Sequence, residues 1–152
     1  MLIPGCGTDD EVLQFFRTAG FEVTAIDFSA VAVAQTRKAL GNFDGQIICG
    51  DFFKFDFQNR FDLIYERTFL CALHPRSWPK YAKRVAQLLQ QRGKLAGVFF
   101  YGKQADPPPY PLTPAKATDL FGKNFSLIKT LPVTDSLPLF AGNERWQEWV
   151  LN

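Results

Sequence analysis

The sequence predicts an α/β fold built on a doubly wound, mostly parallel sheet of the seven-stranded type. Three observations predict it. Short apolar runs alternate with amphipathic helical stretches five times along the chain. The first run turns through Pro4-Gly5-Cys6-Gly7 into a helix start. Such a glycine corner belongs at the carboxyl edge of a parallel sheet. Two further strand-like runs then follow the last helix, which brings the strand total to seven. At 152 residues the chain is expected to form one domain, residues 1–152, with a sizeable core.

Each element has its own local reason. Leu2-Ile3 opens the first strand. After the corner, Val12, Leu13, Phe15, Phe16 and Ala19 mark one helix face, and Gly20 ends it. Phe21–Ile26 reads as the second strand, closed by Asp27. Ser29 is placed to cap a helix over Ala30–Leu40, and Gly41 stops it. Gln46–Cys49 is the third strand and runs into Gly50-Asp51-Phe52-Phe53, while Phe53, Phe55 and Phe57 are expected to pack. Phe61–Tyr65 is the fourth strand, followed by the polar Glu66-Arg67-Thr68. Trp78, Tyr81, Ala82, Val85, Leu88 and Leu89 share the face of the clearest helix, with Gly93 after its end. Lys94–Tyr101 is near-continuously apolar and reads as a strand buried on both faces. Lys103–Pro114 holds five prolines and reads as a loop. Thr113 caps a short helix through Phe121. Phe125–Leu131 and Glu144–Leu151 are the two late strands.

The corner can be read chemically. Glycines there let a ligand approach the main chain. Two ligand classes suit the position: dinucleotides and S-adenosyl-L-methionine (SAM). A pyrophosphate seeks the free N–H groups and positive dipole end of a helix start. Here that start carries Asp9, Asp10 and Glu11, which repel phosphate. They suit a ligand that is cationic and phosphate-free. Thr8-Asp9-Asp10-Glu11 is equally a capping box, and both readings hold together. The third glycine of the dinucleotide fingerprint is absent, which disfavours a nucleotide-binding oxidoreductase. Asp27 lies 22 residues beyond Gly5, where an acidic side chain accepts hydrogen bonds from a ribose. Asp51 could accept from the adenine amine, with Phe52 along the ring, although Gly-Asp is also ordinary turn chemistry. Glu66-Arg67 reads as a surface ion pair as readily as a functional one.

Composition narrows the classes further. A net charge of +2 with no Lys/Arg cluster argues against nucleic acid. No apolar run reaches membrane-spanning length and no signal peptide is expected. Cys6, Cys49 and Cys71 are odd in number and widely spaced. They match neither a disulfide framework nor a metal site, and a reducing cytoplasm is the expected home. The sixteen Phe and three Trp supply core, and aromatic walls also suit adenine and a sulfonium.

Four blocks then carry a resemblance. Pro-Gly-Cys-Gly at 4–7, Ile-Asp-Phe-Ser at 26–29, Gly-Asp-Phe-Phe at 50–53 and Phe-Asp-Leu-Ile-Tyr-Glu-Arg-Thr-Phe-Leu-Cys-Ala-Leu at 61–73 resemble the thiopurine S-methyltransferase family. They are more similar to its halide/thiol methyltransferase branch. Pro108-Pro109-Tyr110 and Gly142-Asn143-Glu144-Arg145-Trp146 continue the match. The resemblance implies a class I, Rossmann-like methyltransferase with SAM as methyl donor. It implies a small soft acceptor such as a thiol, a halide or a thiopurine. Gly5, Cys6 and Gly7 would lie along the methionine part of SAM. Asp27 and Phe28 would hold the ribose region, and Asp51 with Phe52 the adenine. Arg67 would face both cofactor and acceptor, and Tyr110 would stand beside the acceptor. Methyl transfer to such acceptors asks for alignment and desolvation more than for a strong base. His74 and Cys71 are therefore set aside. Asp9 and Asp10-Glu11 depart from the family motif, which continues with another glycine and then Asp. The resemblance also implies an N-terminal lid segment. The expectation is accordingly an N-terminally truncated core, of weak or absent activity or dependent on a partner for the lid. The acceptor and the oligomeric state stay open.

Overall fold

The computed structural model describes residues 1–103 and 106–152. Positions 104 and 105 of the proline-rich loop lie outside the described residues. The chain divides into two compact units, Met1–Gln58 and Asn59–Asn152.

The first unit is a parallel three-stranded layer with two helices. Its strands are β1 (Leu2–Pro4), β2 (Thr24–Asp27) and β3 (Gln46–Cys49), and its helices are α1 (Asp10–Thr18) and α2 (Ala30–Leu40). Leu2 pairs with Thr24, and Thr24 in turn with Gln46, so β2 is central. Leu2, Ile3, Leu13, Ala25, Ile26 and Val33 are buried. Each large aliphatic closed off this way stabilises the unit by about 1.5–3 kcal/mol. α2 keeps the expected bounds. The Ser29 hydroxyl accepts from the Ala32 amide at 3.3 Å, and Gly41 ends the helix at φ +55°. α1 differs in two respects. Its cap is Asp9 rather than Thr8, with the carboxylate accepting from the Val12 amide at 3.4 Å. Its buried face is also narrower than the apolar spacing suggests. Leu13 is buried, Phe16 is half-buried, and Phe15 is 66% exposed. Ala19 is exposed as well, because it is the C-cap, one residue past the last helical turn. β2 begins at Thr24 rather than Phe21, since the Phe21 amide still bonds back to the Phe16 carbonyl. Phe53, Phe55 and Phe57 are half-buried, with the Phe55 and Phe57 rings 4.8 Å apart edge to face.

The second unit contains β4 (Phe61–Arg67), α3 (Phe69–Ala72), α4 (Trp78–Leu88), β5 (Leu89–Phe100), α5 (Pro114–Phe121), β6 (Phe125–Pro132) and β7 (Glu144–Leu151). Its strand order is β4-β5-β7-β6. β4 and β5 run parallel, and β7 lies antiparallel between β5 and β6. β7 therefore runs against β5, and β6 returns to the direction of β5. α4 buries Trp78, Tyr81, Ala82, Val85 and Leu88, the face expected from its spacing. It stops five residues before Gly93. Leu89 is already extended and pairs with Phe61; Arg92 then takes φ +61°, and pairing resumes at Lys94. Phe99, Phe121, Phe125 and Trp149 form an aromatic core, with the Phe121 and Trp149 rings 5.2 Å apart. α5 starts where expected, with the Thr113 hydroxyl accepting from the Lys116 amide at 3.1 Å.

Gly97 faces Glu66 across the β4–β5 ladder. A Cβ at Gly97 would stand 1.8 Å from the Glu66 carbonyl oxygen. This close approach needs glycine. α3, a single helical turn directly after β4, has no counterpart in the sequence reading. It starts behind Thr68, which adopts a left-handed conformation at φ +60°.

Candidate active site

In the first unit the glycine corner is tied to the end of β2. The Gly5 and Cys6 amides both donate to the Ile26 carbonyl, at 2.8 and 3.3 Å. The Gly7 amide donates to Asp27 Oδ2 at 2.9 Å, and the Ser29 amide to Asp27 Oδ1 at 2.8 Å. The Thr36 hydroxyl donates to the Gly7 carbonyl at 2.9 Å. One carboxylate thus clamps two loops, which fixes the corner before any ligand arrives. A carboxylate has about four acceptor sites, and here two are taken by backbone. The other two can take further donors.

Gly5 and Gly7 hold φ of +64° and +52°. A Cβ built at Gly7 meets nothing within 4 Å. Glycine is needed there for its backbone angle, and the space before it is open to a ligand. Phe28, beside Asp27, is 82% exposed, whereas Phe52 is buried. Asp51 braces its own turn, with Oδ1 accepting from the Phe53 amide at 2.8 Å, and Lys54 lies 3.8 Å from Oδ2. Burial and, secondarily, the neighbouring Asp27 push the Cys6 thiol up to about 12. Cys6 is therefore an inert packing group rather than a nucleophile. A separate cleft of about 210 Å³ beside Arg37, Phe43 and Ile47 contains none of these residues.

In the second unit a small cavity of about 10 Å³ sits at the carboxyl ends of β4 and β5. It has room for about one water-sized group. Glu66, Thr68, Cys71, Tyr110 and Glu144 line its polar side, and Val98–Phe100 part of its apolar side. Tyr110 is held there by its amide, which donates to the Cys71 carbonyl at 2.7 Å, and by its ring, edge-on to His74 at 5.3 Å. His74 itself caps the following turn, its Nδ1 accepting from the Arg76 amide at 3.2 Å. Arg67 is exposed at the end of β4 and is not among the cavity-lining residues. Of the two acceptor-side residues expected, the cavity contains Tyr110 but not Arg67.

Glu66 is the residue that sequence reasoning missed. It is not half of a surface ion pair; it is 1% exposed. Its carboxyl accepts from the Leu70 amide at 2.8 Å and from the Tyr81 hydroxyl. It thereby caps α3 and anchors it to α4. A signal existed: Tyr81 lies on the apolar face of α4, and a buried tyrosine hydroxyl needs a partner. Burial pushes the Glu66 carboxyl up to about 7, against the bonds from Tyr81 and from the Leu70 and Phe69 amides. Burial, with Glu66 nearby, likewise pushes the Cys71 thiol up to about 12.

A pH dependence follows. The folded-state value of Glu66 lies above its ordinary 4.5, so the folded chain keeps a proton that the unfolded chain releases. Its contribution is fully present below about 4.5 and is lost as pH rises to about 7. The loss is on the order of 3 kcal/mol. Denaturant unfolding across this range should show that fall, and Glu66→Gln should flatten it.

Comparison with known proteins places these features. The family model for thiopurine S-methyltransferase matches residues 1–149. The chain belongs to the thiopurine S-methyltransferase family. A probable thiol methyltransferase of Arabidopsis thaliana is 32% identical over 114 residues, covering 72% of this chain and 50% of that protein. The chain therefore spans half the length of that relative. A thiopurine S-methyltransferase of Nitrosospira multiformis is 26% identical, covering 97% of this chain and 77% of its own. Among solved structures, a glycopeptide N-methyltransferase complexed with S-adenosyl-L-homocysteine superposes with a TM-score of 0.80. It is 16% identical and covers 99% of this chain and 82% of that one. The fold is that of the class I methyltransferases. Among the described residues, no helix is long and apolar enough to cross a membrane, and no three His, Cys, Asp or Glu cluster as a metal site. All three cysteines are free.

Proposed function

We propose that this chain is a single catalytic domain that binds SAM and transfers its methyl group to a small soft nucleophile, a thiol-like or halide acceptor. The observation that carries the reading is the Asp27 clamp. A carboxylate fixed by the Gly7 and Ser29 amides stands beside an open glycine corner, and the helix behind it begins with Asp9, Asp10 and Glu11. This arrangement supports a ribose-bearing, cationic ligand without phosphate. Family membership and fold support the same donor.

In this reading Gly5, Cys6 and Gly7 offer backbone to the amino-acid part of the cofactor. Asp27 and Phe28 hold the ribose region. Asp51 and Phe52 form the adenine end. The cofactor supplies an electrophilic methyl on a sulfonium. The protein's part is to align and desolvate the acceptor, which is where Tyr110 and Arg67 are proposed to act. The names of the Arabidopsis and Nitrosospira relatives support sulfur acceptors.

Titration calorimetry tests the donor. S-adenosyl-L-homocysteine should bind with a micromolar or lower dissociation constant, and NAD should give no heat. Saturable binding of NAD with none of the homocysteine compound would overturn the reading. Methyl transfer to hydrosulfide, alkyl thiols, iodide and a thiopurine then ranks the acceptors.

A further inference from the structure

The loop from α2 to β3, inside the first unit, forms a cleft that the methyl-transfer reading does not use. Its volume is about 210 Å³, and Arg37, Gly41, Phe43, Gly45 and Ile47 line it. It lies by the amino end of β3, whereas the glycine corner, Asp27 and Asp51 follow the carboxyl ends of their strands.

The walls are held from two sides. Arg37 Nη2 donates to the Ile47 carbonyl at 2.5 Å, which ties the end of α2 to β3. Arg17 holds the loop elsewhere, bonding Asp44 at 2.6 Å and the Phe21 carbonyl at 2.6 Å. The half-buried Phe43 ring rests on the main chain at Gly45. A Cβ there would stand 2.4 and 2.8 Å from two ring carbons and 2.9 Å from the Val23 carbonyl oxygen.

A tether needs one donor, and a guanidinium has five. The other donors of Arg37 engage no group among the described residues, and neither does the Gly45 amide. No Asp or Glu lines the cleft, and the adjacent Asp44 is matched by Arg17. The carboxyl end of α2 contributes about half a negative charge through its dipole. Arg37 and Lys38, both in that last turn, outweigh it.

We infer that this cleft is a second ligand site, which takes a small aromatic carboxylate with its charge on Arg37 and its ring against Phe43 and Ile47. A guanidinium fork matches both oxygens of one carboxylate. An aromatic ring and a branched aliphatic suit a flat apolar body. The volume falls below the roughly 300 Å³ at which pockets for drug-sized molecules begin, so the ligand is a single substituted ring.

Titration of the full, nitrogen-15-labelled chain with benzoate, followed by amide chemical shifts, tests this. Shifts should saturate at Gly41, Gly45 and Ile47, exceed any at Gly5 and Gly7, and give a dissociation constant of about 1 mM or below. Acetate carries the charge without the ring, and benzyl alcohol the ring without the charge. Each should bind at least about tenfold more weakly. Arg37→Gln should weaken benzoate at least about tenfold. Phe43→Leu, which leaves the tie from Arg37 to Ile47 in place, should weaken it about threefold or more. The same spectra report whether each variant is folded. Unsaturable shifts, acetate as tight as benzoate, or a folded Arg37→Gln variant of undiminished affinity would overturn the inference. The outcome is independent of S-adenosyl-L-homocysteine calorimetry, because failure there removes the donor site and leaves this cleft untouched.

Discussion

Gly97→Ala is expected to leave little folded protein. The added methyl group would stand 1.8 Å from the Glu66 carbonyl oxygen, 2.7 Å from its carbonyl carbon and 2.8 Å from its nitrogen. All three atoms are main chain, so no side-chain rotation relieves the clash. Relief requires β4 and β5 to separate at the middle of their ladder, where Tyr65 pairs with Ala96 and Arg67 with Val98. Gly97 also holds φ +155°, which L side chains rarely adopt. Overpacking in an ordinary core costs about 1–3 kcal/mol. A clash with backbone on a central strand should exceed that and reach the 4–5 kcal/mol that consumes much of a domain's stability. The measurement is the thermal midpoint by circular dichroism, with soluble yield beside it. A variant that melts within a few degrees of the parent would refute the packing described here.

Asp27→Ala should weaken cofactor binding and loosen the first unit together. The Gly7 and Ser29 amides lose a charged acceptor at 2.9 and 2.8 Å. Hydrogen bonds to charged groups are worth about 1.5–3 kcal/mol each. Ser29 is also the cap of α2, so the loss travels into that helix. If Asp27 holds the ribose as proposed, affinity for S-adenosyl-L-homocysteine should drop at least about a hundredfold, since the glycine corner loses its brace as well. Asp27→Asn separates the two effects. Its remaining oxygen can serve one amide, so the variant should fold nearly normally yet bind poorly. Full affinity in the Asn variant by calorimetry would show that Asp27 is only a brace.

Much of this architecture was legible in the amino acids, and the reasons are local. Ser29, Ala30–Leu40 and Gly41 state a helix with both its ends, because caps and glycine stops depend on residues within one turn. Gln46–Cys49 and Glu144–Leu151 are β-rich runs between clear breakers, and both strands kept their bounds. The Asp27 position followed from spacing to the glycine corner. What escaped was set by partners distant in sequence. Glu66 looked like solvent-facing polarity, and its burial depends on Tyr81, fifteen residues on. The junction from α4 to β5 escaped because Leu89 continues the helical apolar spacing while its backbone pairs with Phe61. Local spacing cannot choose between those two uses of one leucine. Glu144 gave no local sign of facing a cavity, because the first residue of a strand usually points to water.

The two buried thiols have a bearing on chemical self-protection. If the chain methylates sulfur as proposed, it must not methylate its own cysteines. Cys6 stands in the glycine corner of the first unit, and Cys71 in the cavity wall of the second. Both are held as thiols up to about 12. Since only the thiolate attacks, burial leaves each with its nucleophile switched off. Burial thus makes both sulfurs poor targets for the proposed methyl transfer.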